Sequence, residues 1–134
     1  MKIINLTTHK LCEMIEITGE IKKVLRENPV TDGACIVFVP HTTAGITINE
    51  NADSDVQRDM ISELEEIVPF HDNYLHREGN SAAHIKASLM GSSVTVLVEK
   101  GELQLGTWQG IYFCEFDGPR QRKVFVKFIK TMEE

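Results

Sequence analysis

The chain has 134 residues, 42% of them hydrophobic and 25% charged, with a formal net charge of −6. That length suits one domain over residues 1–134 with its own core. The acidic balance excludes a general nucleic-acid binder, which needs clustered Lys and Arg.

No apolar run reaches the roughly 20 residues of a membrane span, and the start Met1 to Asn5 lacks a secretory plan. The three cysteines, Cys12, Cys35 and Cys114, sit in apolar or alternating runs without a C-x-x-C pair. They read as buried packing thiols of a reducing compartment. The expected location is the cytoplasm, with neither a membrane nor a nucleic acid as partner.

In chain order, residues 1–9 and 11–18 carry the β-branched and alternating character of strands. Thr18 caps a helix whose apolar positions Ile21, Val24 and Leu25 recur at helical spacing, and Asn28-Pro29 ends it. After the turn signal Thr31-Asp32-Gly33, the run Ala34 to Val39 reads as a strand buried on both faces. Thr42 to Asn49 is rich in Thr and Ile and predicts extended chain, with Gly45 as a bulge or a point of close backbone approach.

Asp53 and Ser54 stand ahead of a helix with the stripe Val56, Met60, Ile61, Leu64, Ile67 and Val68, closed by Pro69. Its acidic residues Asp59, Glu63, Glu65 and Glu66 read as a solvated face. Residues 70–80 form an irregular loop holding His71 and His76. A short helix from Ala82 to Met90 follows, closed by Gly91. The remainder is β-rich: Ser93 to Val98, Glu102 to Gly106, Trp108 to Phe116, and the alternating Lys123 to Lys130 with one wet face.

Three groups of residues have more chemistry than their elements need. His41, His76 and His84 lie in three different local contexts. Neutral imidazole is a common metal ligand, and three with an open position suit a catalytic ion, although each could equally serve a local hydrogen bond. Glu50, Asp53, Glu115 and Asp117 flank turns. Glu115 and Asp117 share a face by period-two geometry and could orient a histidine or act as acid and base, while Asp53 could simply cap its helix. Leu105 to Ile111 holds Trp108 and Gln109 between Gly106 and Gly110, with Trp108 either flooring a pocket or filling core. The basic cluster Arg120 to Lys123 could hold a small phosphate, Arg120 bidentately. No nucleotide-binding loop or nucleophile elbow is present.

Four stretches taken together resemble the YjbQ family, described as secondary thiamine-phosphate synthases. They are His41 to Asp53, Asn80 to His84, Gly106 to Gly110 and Glu115 to Arg120. The resemblance implies an α+β domain with a mixed, mostly antiparallel barrel-like or sandwich-like β core and about three helices. It implies a homotrimer, sites near subunit contacts and a divalent metal ion, zinc foremost. His41, His76 and His84 become metal ligands by that resemblance, and Glu50, Glu115, Asp117 and Arg120 catalytic residues. Thr42, Thr43, Asn51, Asp53 and Gln109 become substrate-binding residues. The implied reaction joins hydroxymethylpyrimidine diphosphate to thiazole phosphate and releases pyrophosphate. The alternative is a non-catalytic trimer that binds a metal or small anion.

Overall fold

Burial alternates along the C-terminal strand, with Arg122, Val124 and Val126 inward and Lys123 and Lys127 outward. This strand, β8 (Gln121–Lys130), lies inside a sheet with one face on the core. The computed structural model describes residues 1–132, so the last two residues of the expected domain lie outside the described residues.

The other elements are β1 (Lys2–Thr7), β2 (Glu13–Glu16), α1 (Thr18–Glu27), β3 (Gly33–Phe38), β4 (Ala44–Glu50), α2 (Asp55–Ile67), α3 (Ser81–Met90), β5 (Ser93–Glu99), β6 (Glu102–Leu103) and β7 (Gln109–Glu115). They form a five-stranded sheet in the order β1-β8-β3-β5-β6 and a three-stranded sheet in the order β2-β7-β4. Each pairing between the described strands is antiparallel. The result is one α+β domain with a sandwich-like core.

The inner faces of the two sheets enclose one apolar cluster. Cys35, Val37, Val96, Val98, Val124 and Val126 come from the larger sheet, and Ile46, Ile111 and Phe113 from the smaller. Helix α1 closes that cluster with Ile21, Val24 and Leu25, as its spacing predicts. On the other face of the smaller sheet, Tyr112, Cys114 and Phe116 pack against Ala83 and Ala87 of α3 and Leu64 of α2. Strand β7 is therefore covered on both sides. Burial pushes the Cys35 and Cys114 thiols up to about 12, which keeps them protonated and unreactive.

Gly45 marks a close backbone approach. A Cβ there would lie 2.7 Å from the Gly91 carbonyl oxygen and 3.1 Å from Met90 Cβ. Ile46 N–H donates to the same Gly91 oxygen at 3.0 Å, which seats the end of α3 on β4.

Several expectations are corrected by packing. Strand β3 buries only Cys35 and Val37 fully, and its opposite face carries half-covered Ala34 and Ile36 and exposed Phe38. Thr18 lies inside α1 rather than capping it. Its hydroxyl donates to Glu16 Oε2 and accepts from Ile111 N–H, tying the helix start to β7. No residue of α2 is fully buried, so its apolar stripe is only partly covered. Glu65 is not a free surface acid: it accepts from Lys86 Nζ at 2.6 Å and from Phe70 N–H. Trp108 neither floors a pocket nor fills core, being 64% exposed in the turn before β7.

Candidate functional site

The β4–β7 ladder divides the expected site residues into two groups. Ala44 pairs with Glu115 at one end and Glu50 with Gln109 at the other. At ~3.3 Å per residue the ends stand about 20 Å apart.

The far group is Glu50, Asn51, Asp53 and Gln109. Asn51 Nδ2 donates to Glu16 Oε2 and to the Gln109 carbonyl, both at 3.3 Å. Gln109 Oε1 accepts from Gly106 N–H at 2.8 Å, closing its own turn. The Glu50 carbonyl accepts from Gln57 and Tyr112. Asp53 Oδ1 accepts from Asp55 N–H at 2.9 Å, the local bond of a helix start. Within one chain these four do not join the histidines.

The near group surrounds a recess of about 460 Å³ lined by His41, Thr42, Thr43, His76, Asn80 and His84, with Glu78, Asp117, Arg120 and Arg122 also on its wall. His41 arrives on the β3–β4 connection, His76 on the irregular loop, and His84 one turn into α3. The His76 and His84 rings meet edge to face with centroids 5.5 Å apart. His76 Nε2 lies 4.0 Å from Glu78 Oε2. His41 Nε2 accepts the Lys123 backbone N–H at 2.9 Å. Burial, and after it the Arg122 charge, holds the His41 imidazole below its ordinary value and so neutral.

Beneath the recess, one carboxylate joins the two sheets. Glu115 shares the inward face of β7 with Ile111 and Phe113, and Arg122 shares that of β8 with Val124 and Val126. The Arg122 guanidinium donates to both Glu115 oxygens through Nε and Nη2. Nη2 also donates to Thr43 Oγ1 at 2.9 Å. Glu115 accepts further bonds from the Thr8 hydroxyl at 2.7 Å and from Phe116 and Asp117 N–H. Burial alone would raise its pKa, but the bonds from Arg122, Asp117 N–H and Thr8 outweigh it and hold the carboxyl below the usual range.

These bonds show what each expected site residue touches. Glu115 is wholly buried, its oxygens are taken by internal donors, and it does not line the recess. Thr43 binds Arg122 rather than standing free. Asp117 accepts from Arg120 Nη2 at 3.0 Å and from Asn80 Nδ2 at 2.9 Å. The basic cluster is partly neutralised, since Arg122 and Arg120 already face carboxylates. Arg120 keeps a half-exposed side chain at the rim.

Sequence reasoning did not single out Lys86, and it read Arg122 only as part of the basic cluster and Asn80 only as part of the Asn80 to His84 stretch. Arg122 is in phase with Val124 and Val126, which is the signal that it points inward. Lys86 is 2% exposed and stands three residues after Ala83 on the buried stripe of α3. Asn80 is buried, and among the described residues its Oδ1 is the buried side-chain oxygen or nitrogen without a hydrogen-bond partner. Because Nδ2 faces the Asp117 carboxylate, the amide orientation is fixed and the unpartnered atom is an acceptor.

His76 and His84 bring two imidazoles to one side of the recess. Among the described residues, no three His, Cys, Asp or Glu side chains already converge to hold a metal ion.

The sequence model described as "UPF0047 protein YjbQ-like" matches residues 2–131. The chain belongs to the YjbQ family. It is 53% identical over 130 residues to "UPF0047 protein YugU" of Bacillus subtilis, covering 96% of this chain and 98% of that protein. It is 52% identical to "UPF0047 protein MJ1081" of Methanocaldococcus jannaschii, covering 91% and 88% respectively. A crystal structure of an uncharacterised YjbQ-family protein from Clostridium acetobutylicum superposes with a TM-score of 0.95 at 58% identity, covering 96% of this chain and all of that one. The Clostridium protein shares this fold. As for membranes, no helix among the described residues is long and apolar enough to cross one.

Proposed function

We propose that the recess between His41, His76 and His84 is the active site of a metal-assisted enzyme acting on a small phosphorylated substrate. The observation that carries this reading is the convergence of three imidazoles from separate elements beside Thr42, Asn80 and Arg120. His76 and His84 would hold the ion, with zinc the foremost candidate. When bound, it would supply positive charge to departing phosphate oxygens. Arg120 at the rim and the Thr42 hydroxyl would bind phosphate oxygens directly.

Thiamine-phosphate synthesis is the specific reaction to which the YjbQ resemblance points. In it a C–N bond forms between the pyrimidine's methylene carbon and the thiazole nitrogen. The C–O bond to the diphosphate breaks, and pyrophosphate leaves with the electron pair. The test incubates the purified protein with both precursors and zinc while following thiamine phosphate and pyrophosphate. Turnover abolished by His84→Ala supports the reading. No product from the parent protein overturns the synthase assignment.

A second reading is favoured by one observation. Glu115 and Asp117 are both engaged by internal donors, so neither is a free base. That suits a non-catalytic trimer binding a metal or small anion, which predicts a raised Tm with zinc or pyrophosphate but no turnover. The trimer itself is supported by the apolar outer face of the five-stranded sheet, where Ile3, Phe38, Leu97 and Ile129 are exposed.

A further inference from the structure

His41 carries its own instruction about which ring nitrogen meets the ligand. The β3–β8 ladder ends at the pair Phe38 and Phe125. Beyond it, the N–H of Lys123 is taken by a side chain, His41 Nε2, at 2.9 Å. A neutral imidazole has one donor nitrogen and one acceptor nitrogen. With Nε2 accepting, the ring proton sits on Nδ1, and no described residue accepts from it. A metal ligand must offer a lone pair. For Nδ1 to do so the proton would move to Nε2, where it would face the Lys123 N–H.

The recess lining also offers the Thr42 hydroxyl and the half-exposed Arg120 guanidinium as donors, beside Asp117, which Arg120 and Asn80 already engage, the Glu78 carboxylate and the unpartnered Asn80 Oδ1. The His41 Nδ1–H, the Thr42 hydroxyl and the Arg120 guanidinium together suit a ligand with several acceptor oxygens, which phosphate and pyrophosphate groups provide.

We infer that His41 is a fixed Nδ1–H donor to a phosphate oxygen of the ligand rather than a third metal ligand, its tautomer set by the Lys123 backbone. This rests on the recess being the ligand site proposed above. It divides the three histidines by role, with His76 and His84 on the metal side and His41 on the anion side. The Arg122–Glu115 pair then acts beneath it as a positioning element, since Arg122 adjoins Lys123 in β8 and holds Thr43, two residues from His41.

Two-dimensional proton–nitrogen spectra of the histidine rings in the isotope-labelled full chain read the tautomer directly. The expected pattern for His41 at neutral pH is a protonated Nδ1 and an accepting Nε2. Zinc stoichiometry should be unchanged in His41→Ala and reduced in His84→Ala. Pyrophosphate affinity by calorimetry should fall about tenfold in His41→Ala and recover in part in His41→Asn, whose amide N–H can stand near the Nδ1 position. A proton on Nε2, or loss of zinc in His41→Ala, overturns the assignment while leaving the recess as the site. Absence of pyrophosphate binding in the parent protein overturns both the donor role and the anion-site reading beneath it.

Discussion

Glu115 is placed where its carboxylate is enclosed by internal donors. It is wholly buried, it is paired with Arg122, and both oxygens accept from several donors. Removing one member of such a pair leaves the other charge uncompensated in the core. Glu115→Gln is therefore expected to cost about 3–5 kcal/mol in denaturant unfolding at neutral pH. Converting both members, Glu115→Gln with Arg122→Met, should cost less than the sum of the two single changes, because neither charge is then stranded. A sum that is simply additive would deny the coupling. The pH dependence has a definite sign. The folded carboxyl is held below its ordinary value, so its contribution is complete above the unfolded value of about 4.3. It is lost as pH falls from there through the lower folded value. The acid limb of stability should be flatter in Glu115→Gln than in the parent. Glu65, lowered first by its hydrogen bond from Lys86, contributes with the same sign.

At the level of elements, periodicity revealed most of what the fold uses. The helical spacing of Ile21, Val24 and Leu25 and the alternation of β8 both matched the observed burial. What periodicity could not reveal was the cross-sheet pairing. Arg122 read as one cation of a cluster able to hold a small phosphate, and the Glu115 partner on β7 accounts for its buried charge. The site residues were likewise legible as residue types but not as two ends of one ladder, because sequence order places His41 and Asp53 close while the strand between them carries them apart. The position of α3 is the decisive element-level feature, since it delivers His84 and Asn80 to the recess. Gly45 allows that seat by lacking a Cβ. Gly45→Ala should force the Met90–Gly91 end of α3 away from β4 and cost about 1–3 kcal/mol as an overpacked contact. The same variant should weaken zinc retention, read by metal analysis of purified protein. Unchanged melting and unchanged zinc would mean that α3 yields without consequence.

Taken whole, the molecule is layered unevenly. The three-stranded sheet is covered by the larger sheet on one face and by α2 and α3 on the other, whereas no described helix covers the outer face of the five-stranded sheet. On that outer face Phe38 stacks on Phe125 with centroids 6.3 Å apart, and Ala34 is flanked by Leu97 on β5 and Ile129 on β8. Leu97 is 63% exposed and Ile129 51%. Within an isolated chain, lysine at such exposed positions should change stability by no more than about 0.5 kcal/mol. If the chain assembles as a homotrimer through this face, the same change places cations in an apolar contact and disfavours association. Light scattering on the parent should give three times the chain mass. The pair Leu97→Lys with Ile129→Lys should give the single-chain mass, with a Tm that no longer rises with protein concentration. A parent that runs at single-chain mass would reject the trimer. A double variant that remains trimeric would move the interface off this sheet, leaving the far group Glu50, Asn51 and Gln109 as the next surface to probe for a neighbouring copy.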